Sequence, residues 1–169
     1  MTATFTERQK HSAFHEGYVA AELKLRGWEV VDERLEQRIS SHGLSVLRKR
    51  RAQCGGADFL ATHGRGSAWL IDCKTYTGSA QRLPGLGTYS ISARALSEME
   101  THMRLRNLPG CFVLGDLYVV TYDEVREHGR KAADIRSNFY WIESRFGRSF
   151  DLVFGEPHDG YPIIAGRAA

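Results

Sequence analysis

The run GGADFLATHGRGSAWLIDCKTYTG, from Gly55 to Gly78, constrains this chain more than any other stretch. It reads as a β-hairpin: apolar runs at about Ala57–Thr62 and Ser67–Lys74 flank the turn His63-Gly64-Arg65-Gly66. Strand side chains alternate faces, so Asp72 and Lys74 share one face while Trp69, Ile71 and Cys73 take the other. If the numbers of opposed residues sum to 130, Phe59 faces Ile71 and Ala61 faces Trp69 in one continuous apolar face, and Asp58 lies opposite Asp72. A sum of 129 puts Asp58 opposite Ile71 and mixes the faces, so burial favours the first register.

That register makes two carboxylates direct cross-strand neighbours, with Cβ atoms roughly 5 Å apart. Like charges so placed repel unless a cation or a shared proton sits between them. A hard divalent ion suits the gap, because Mg²⁺ is commonly held by one or two carboxylates plus waters and substrate phosphate. Lys74 reaches the same space, where its ammonium can hold a phosphate or a water and desolvation can lower its pKa. A lone Asp-x-Lys at a strand end is usually structural. The patterned hairpin around Asp58 and the Asp72-Cys73-Lys74 triplet is what raises these residues above that reading.

Asp58, Asp72 and Lys74 resemble the PD-(D/E)XK nuclease superfamily, with Asp58 as the first acid and Asp72-Cys73-Lys74 as the (D/E)-x-K. Ala57 stands where the strict motif has Pro. Upstream, HEGYVAAELKLRGWEVV is similar to the opening helix of archaeal-type Holliday-junction resolvases, in which an acid lies eleven residues before the Gly that ends the helix; here that acid is Glu16, before Gly27. Glu16 shares a helical stripe with Val19, Ala20 and Leu23, whereas Glu22 is placed for an i,i+4 pair with Arg26. The resemblance spans about Phe14 to Leu114. It implies a restriction-endonuclease-like α/β fold, a central mixed β-sheet flanked by helices. It also implies a Mg²⁺-dependent endodeoxyribonuclease, with Mn²⁺ as a substitute ion. Glu16, Asp58, Asp72 and the Cys73 carbonyl would bind metal, and Lys74 would orient or deprotonate the attacking water. A four-way junction has two scissile strands related by approximate two-fold symmetry, so a resolvase acts as a homodimer. Two other readings stand beside a junction resolvase: a restriction-like or end-processing nuclease on the same fold, and a non-catalytic nucleic-acid-binding module.

The rest of the chain adds detail. Residues 1–110 carry 16 Lys and Arg against 11 Asp and Glu; residues 111–169 carry 7 against 9. The basic half holds the run Arg48-Lys49-Arg50-Arg51, which favours phosphate. The loop leaving the hairpin offers Thr75, Tyr76, Gln81 and Arg82 as backbone contacts. Helices are expected at about Thr6–Arg26, closed by Gly27, at Ile91–Arg106, and from an Asp123 cap to His128; Thr75–Ser90 reads as a loop. Strands are expected at Trp28–Val31, Cys111–Leu114, Leu117–Thr121 and Phe139–Ile142, the last either core or a dimer face. Trp28, Trp69 and Tyr118 read as core, His15 as surface, and His102 as without a role. The 169 residues suit one domain, with residues 122–169 open to reading as an extension, a dimer interface or a substrate-specific surface. Three cysteines without metal spacing, no secretory leader and no apolar run of about 20 residues fit an intracellular protein, cytoplasmic or nucleoid-associated.

Overall fold

The computed structural model describes residues 5–33, 57–64, 66–74, 87–115, 117–131 and 138–158, with side chains from Ser12 onward. The first element is helix α1, Phe5–Leu25. Val19 and Leu23, one turn apart, are fully buried and anchor it to the core. Gly27 ends it in a left-handed conformation, φ 77°. The Trp28 amide reaches back to the Leu23 carbonyl and the Gly27 amide to Lys24, so the last carbonyls of the helix are satisfied by the turn that leaves it.

Strand β1, Glu29–Asp32, then leads to the hairpin of β2, Phe59–His63, and β3, Ser67–Lys74. The hairpin has the register that burial favoured: Phe59 faces Ile71 and Ala61 faces Trp69. β4, Thr88–Ser92, and helix α2, Ala93–Arg106, cross to β5, Gly110–Leu114, which runs parallel to β3. β6, Tyr118–Thr121, is followed by α3, Tyr122–His128, and the short β7, Arg130–Lys131. β8, Phe139–Glu143, a 3-10 turn at Ser144–Phe146, β9, Arg148–Ser149, and α4, Phe150–Phe154, complete the described chain.

These strands form a six-stranded mixed sheet in the order β1-β2-β3-β5-β6-β9 and a three-stranded sheet in the order β4-β8-β7. One face of the large sheet packs Phe59, Ile71, Cys73 and Val113 against Val19 and Leu23 of α1 and Phe150 and Phe154 of α4. The other packs Leu70, Phe112, Leu114 and Val120 against α2, α3 and the small sheet. Residues beyond 121 therefore contribute an edge strand to the large sheet and part of both cores.

Several elements differ from the sequence expectation. The segment read as loop up to Ser90 contains β4, which begins at Thr88, and α2 starts at Ala93 rather than Ile91 because Ser92 caps it, accepting the Ala95 amide at 3.0 Å. α3 is capped by Thr121, with Glu124 returning the bond as a capping box; Asp123 sits inside the first turn. β8 is half core: Ile142 is fully buried, while Phe139 and Trp141 on its other face are about 40% exposed (43% and 39%). Trp28 is buried, and Trp69 and Tyr118 are partly buried against the cores, as expected.

Candidate active site

β3 carries Asp72 and Lys74 on the face shared with Leu70, at the strand end beside β5. Asp72 is almost fully buried. Both of its oxygens are held by the Lys74 ammonium, at 2.7 Å for Oδ1 and 2.6 Å for Oδ2. Lys74 keeps about a quarter of its side chain exposed and lies 6.0 Å from the centre of the Phe112 ring. Burial opposes its charge, but the Asp72 carboxylate outweighs burial, and the Lys74 pKa lies above the ordinary lysine value. The expectation that desolvation would depress it is therefore overturned: the amine sits on a carboxylate.

Asp58 stands one residue before β2, where cross-strand pairing has stopped at Phe59. Its amide donates to the Ile71 carbonyl at 2.8 Å, and its Oδ2 accepts the Cys73 amide at 2.8 Å. Asp72 acts on the same carboxyl through its charge. Burial first, and then the charge of Asp72, push the Asp58 pKa up to about 7; the Cys73 amide pulls the other way. Asp72 is also raised, chiefly by burial, with Lys74 opposing. Burial and mutual repulsion thus both oppose a second negative charge on this pair.

Glu16 of α1 adds to the same field: its charge raises both aspartates. Ser12, one turn earlier, donates to Glu16 Oε1 at 2.9 Å. Glu22 instead pairs with Arg26 at 2.5 Å, as its spacing implied. The Cys73 side chain belongs to the core below α1, and burial followed by the neighbouring carboxylates holds its thiol well above the usual range. A buried neutral thiol offers no thiolate to a metal. Among the described residues no three His, Cys, Asp or Glu side chains are gathered closely enough to form a metal cage by themselves.

Two histidines from opposite helices back this site. His15 is buried, not superficial, because its Nε2 lies 3.3 Å from the Val113 carbonyl of β5, a partner 98 residues away. His102 of α2 is buried too, and its Nδ1 accepts the amide of Ala57, the residue before Asp58, at 3.5 Å. It therefore has a structural role the sequence did not disclose. The predicted nucleic-acid contacts Arg48, Lys49, Arg50, Arg51, Thr75, Tyr76, Gln81 and Arg82 all lie outside the described residues.

No family model and no curated protein matches the chain. Among solved structures it is similar to that of Hjc, a Holliday junction resolvase from the archaeal hyperthermophile Archaeoglobus fulgidus: 14% identity, 87% of this chain and 98% of that one covered, TM-score 0.53. At this identity the likeness establishes the fold, a restriction-endonuclease-like mixed sheet flanked by helices.

Proposed function

We propose that this chain is a divalent-metal-dependent nuclease that hydrolyses DNA phosphodiester bonds, and within that class a junction-resolving endonuclease. The observation that supports it most is the buried Asp72 with Lys74 seated on it, beside the acid Asp58 whose carboxyl caps the Cys73 amide. A buried acid pair of this kind is costly without a cation, and hard oxygen donors suit Mg²⁺ or Mn²⁺. Mg²⁺ needs no protein cage, since one or two carboxylates with waters and substrate phosphate suffice. Asp58 and Asp72 would hold the ion, with Glu16 completing the acidic set and the Cys73 carbonyl as a further ligand. Once bound, the ion would acidify a water and neutralise charge on the phosphate.

The protein's own contribution follows from the geometry. With an ion bound, the Asp58 carboxylate would face the ion rather than hold a proton. Lys74, whose ammonium reaches the same space, would donate to a phosphate or water oxygen and orient the reacting groups. The basic run Arg48–Arg51 and the loop residues Thr75, Tyr76, Gln81 and Arg82 would track the DNA backbone. Two scissile strands in a junction call for two copies of this site in a C2 homodimer. A protein that cuts such DNA works inside the cell, and among the described residues no helix is long and apolar enough to cross a membrane.

The test is cleavage of labelled four-way junction, flap, linear duplex and single-stranded DNA with Mg²⁺ or Mn²⁺. Symmetric cuts in the junction are expected, and Asp72→Asn should abolish them while leaving DNA binding equal or tighter, since an anion near phosphate is lost. Equal cutting by Asp72→Asn overturns the metal mechanism. Cutting of linear DNA in preference to junctions favours the restriction-like or end-processing reading, and tight binding with no cutting favours the non-catalytic module.

A further inference from the structure

The small sheet turns Tyr89, Ile91 and Ile142 into the core and presents its opposite face to solvent. The register fixes what that face carries. Ser90, Trp141 and Arg130 lie in one row across the three strands; Ser92 and Phe139 form the row beside it, and Thr88 and Glu143 the row on the other side. Two large aromatics thus stand on a sheet surface, exposed by 43% and 39%, between hydroxyls and a cation. Glu143 is taken by Arg145 at 2.8 Å, while Arg130 has no partner among the described residues. A recess of about 190 Å³ opens beside Trp141, walled by Arg130 and by Phe146, on which His128 is stacked at 4.6 Å.

We propose that this face is a stacking platform for unpaired nucleobases, with Trp141 and Phe139 as the ring contacts and Arg130 as the phosphate contact. The proposal extends the nucleic-acid reading above from the cleavage site to a second surface. Aromatic rings on a sheet face take bases without regard to sequence, and an adjacent arginine supplies the charge that a phosphate needs. The face is too small for the alternative occupant, a second copy of this chain. Its three short rows fall well below the roughly 20–30 residues a side of a stable protein interface, and Arg130 on its edge strand, without a partner among the described residues, would be desolvated there.

The test uses the full chain in EDTA, so that nothing is cut, with fluorescence anisotropy of a labelled oligothymidylate and of a blunt duplex of equal length. Phe139→Ala with Trp141→Ala should weaken oligothymidylate binding by about tenfold and duplex binding by less than about twofold. Trp141→Phe should restore most of the loss. Quenching by oligothymidylate that is present in wild type and absent in Trp141→Phe reports the contact without relying on a truncated variant. No quenching, or equal weakening on both DNAs, overturns the proposal. So does a dimer in sedimentation that Trp141→Ala dissociates, which would make this a contact between copies. A wild type that stacks oligothymidylate but never cuts DNA leaves the platform standing and overturns only the nuclease reading.

Discussion

Asp58 accepts the backbone N–H of Cys73 at 2.8 Å, so an acid just outside β2 completes the hydrogen bonding of β3 that the ladder leaves open after Phe59. The same carboxyl feels the charge of Asp72. An asparagine can accept the Cys73 amide and donate to Asp72 without the second charge. Asp58→Asn should therefore be more stable than wild type in chelator by about 1 kcal/mol, a rise of roughly 2–4 °C in Tm for a domain of this size. It should also lose the Tm increase that Mg²⁺ gives wild type, and lose cleavage with it. Differential scanning fluorimetry with EDTA and with Mg²⁺ decides: a variant less stable than wild type in EDTA would mean that the pair is not strained.

The pH dependence of stability has a definite sign. In the unfolded chain Asp58 ionises near the ordinary carboxylate value; in the fold it holds its proton up to about 7. Between those limits the folded state binds more protons, so this group's contribution is largest below about pH 4 and is lost as pH rises through 7. Across that window of about 3 units the loss is of the order of 4 kcal/mol, as an upper bound, because other groups titrate against it. Denaturant midpoints in EDTA should fall between pH 5 and 7.5 in wild type and fall less in Asp58→Asn. Added Mg²⁺ should flatten the wild-type curve, since a cation takes the place of the proton. Parallel curves for the two proteins in EDTA would show that the raised pKa has no consequence for folding.

Lys74 tests orientation against proton removal. Paired with Asp72, it has a pKa raised despite burial, which favours an orienting cation over a base. Lys74→Met should slow cleavage about 10²–10⁴-fold, the span of a positioned polar group, yet keep the Mg²⁺-induced rise in Tm. If Lys74 were the base, Lys74→Arg would be as inactive as Lys74→Met, because an arginine cannot deprotonate. Partial activity in Lys74→Arg, read as initial rates on one labelled substrate, is the expected result.

The hairpin was legible because two constraints met in one short stretch: a turn of fixed length and an apolar alternation that only one register keeps on a single face. Gly27 and the Glu22–Arg26 pair were legible for the same reason, both being local. β4 was not, because only Tyr89 and Ile91 face inward, and Thr88, Ser90 and Ser92 alternating with them read as loop after a Gly- and Pro-containing stretch. The cap of α3 was present in the sequence as Thr121-x-x-Glu124, a capping-box spacing passed over in favour of Asp123. The burial of His15 and His102 had no sequence signal, because their partners lie 98 and 45 residues away. α4 is five residues long and owes its place to Phe150 and Phe154 packing on the α1 side of the core. A helix that short is set by tertiary contact rather than by its own propensity.

The two acids of α1 separate function from stability. Glu16 raises the pKa of both aspartates through its charge, whereas Glu22 holds Arg26, whose guanidinium also reaches Asp151 at 2.5 Å and the Gly155 carbonyl at 2.7 Å. Arg26 is 6% exposed, and it lies 5.0 Å from the Phe150 ring centre, so it ties the end of α1 to α4. Arg26→Ala strands Glu22 and removes packing, and should cost about 3 kcal/mol, roughly 6–12 °C in Tm, without changing the rate of cleavage by the folded fraction. Glu16→Gln should do the reverse, with Tm in EDTA within about 2 °C of wild type and cleavage reduced at least tenfold. Melting curves and initial rates on the same preparations separate the two. A Glu16→Gln protein that cuts as fast as wild type would remove Glu16 from the metal set and leave Asp58 and Asp72 to hold the ion alone.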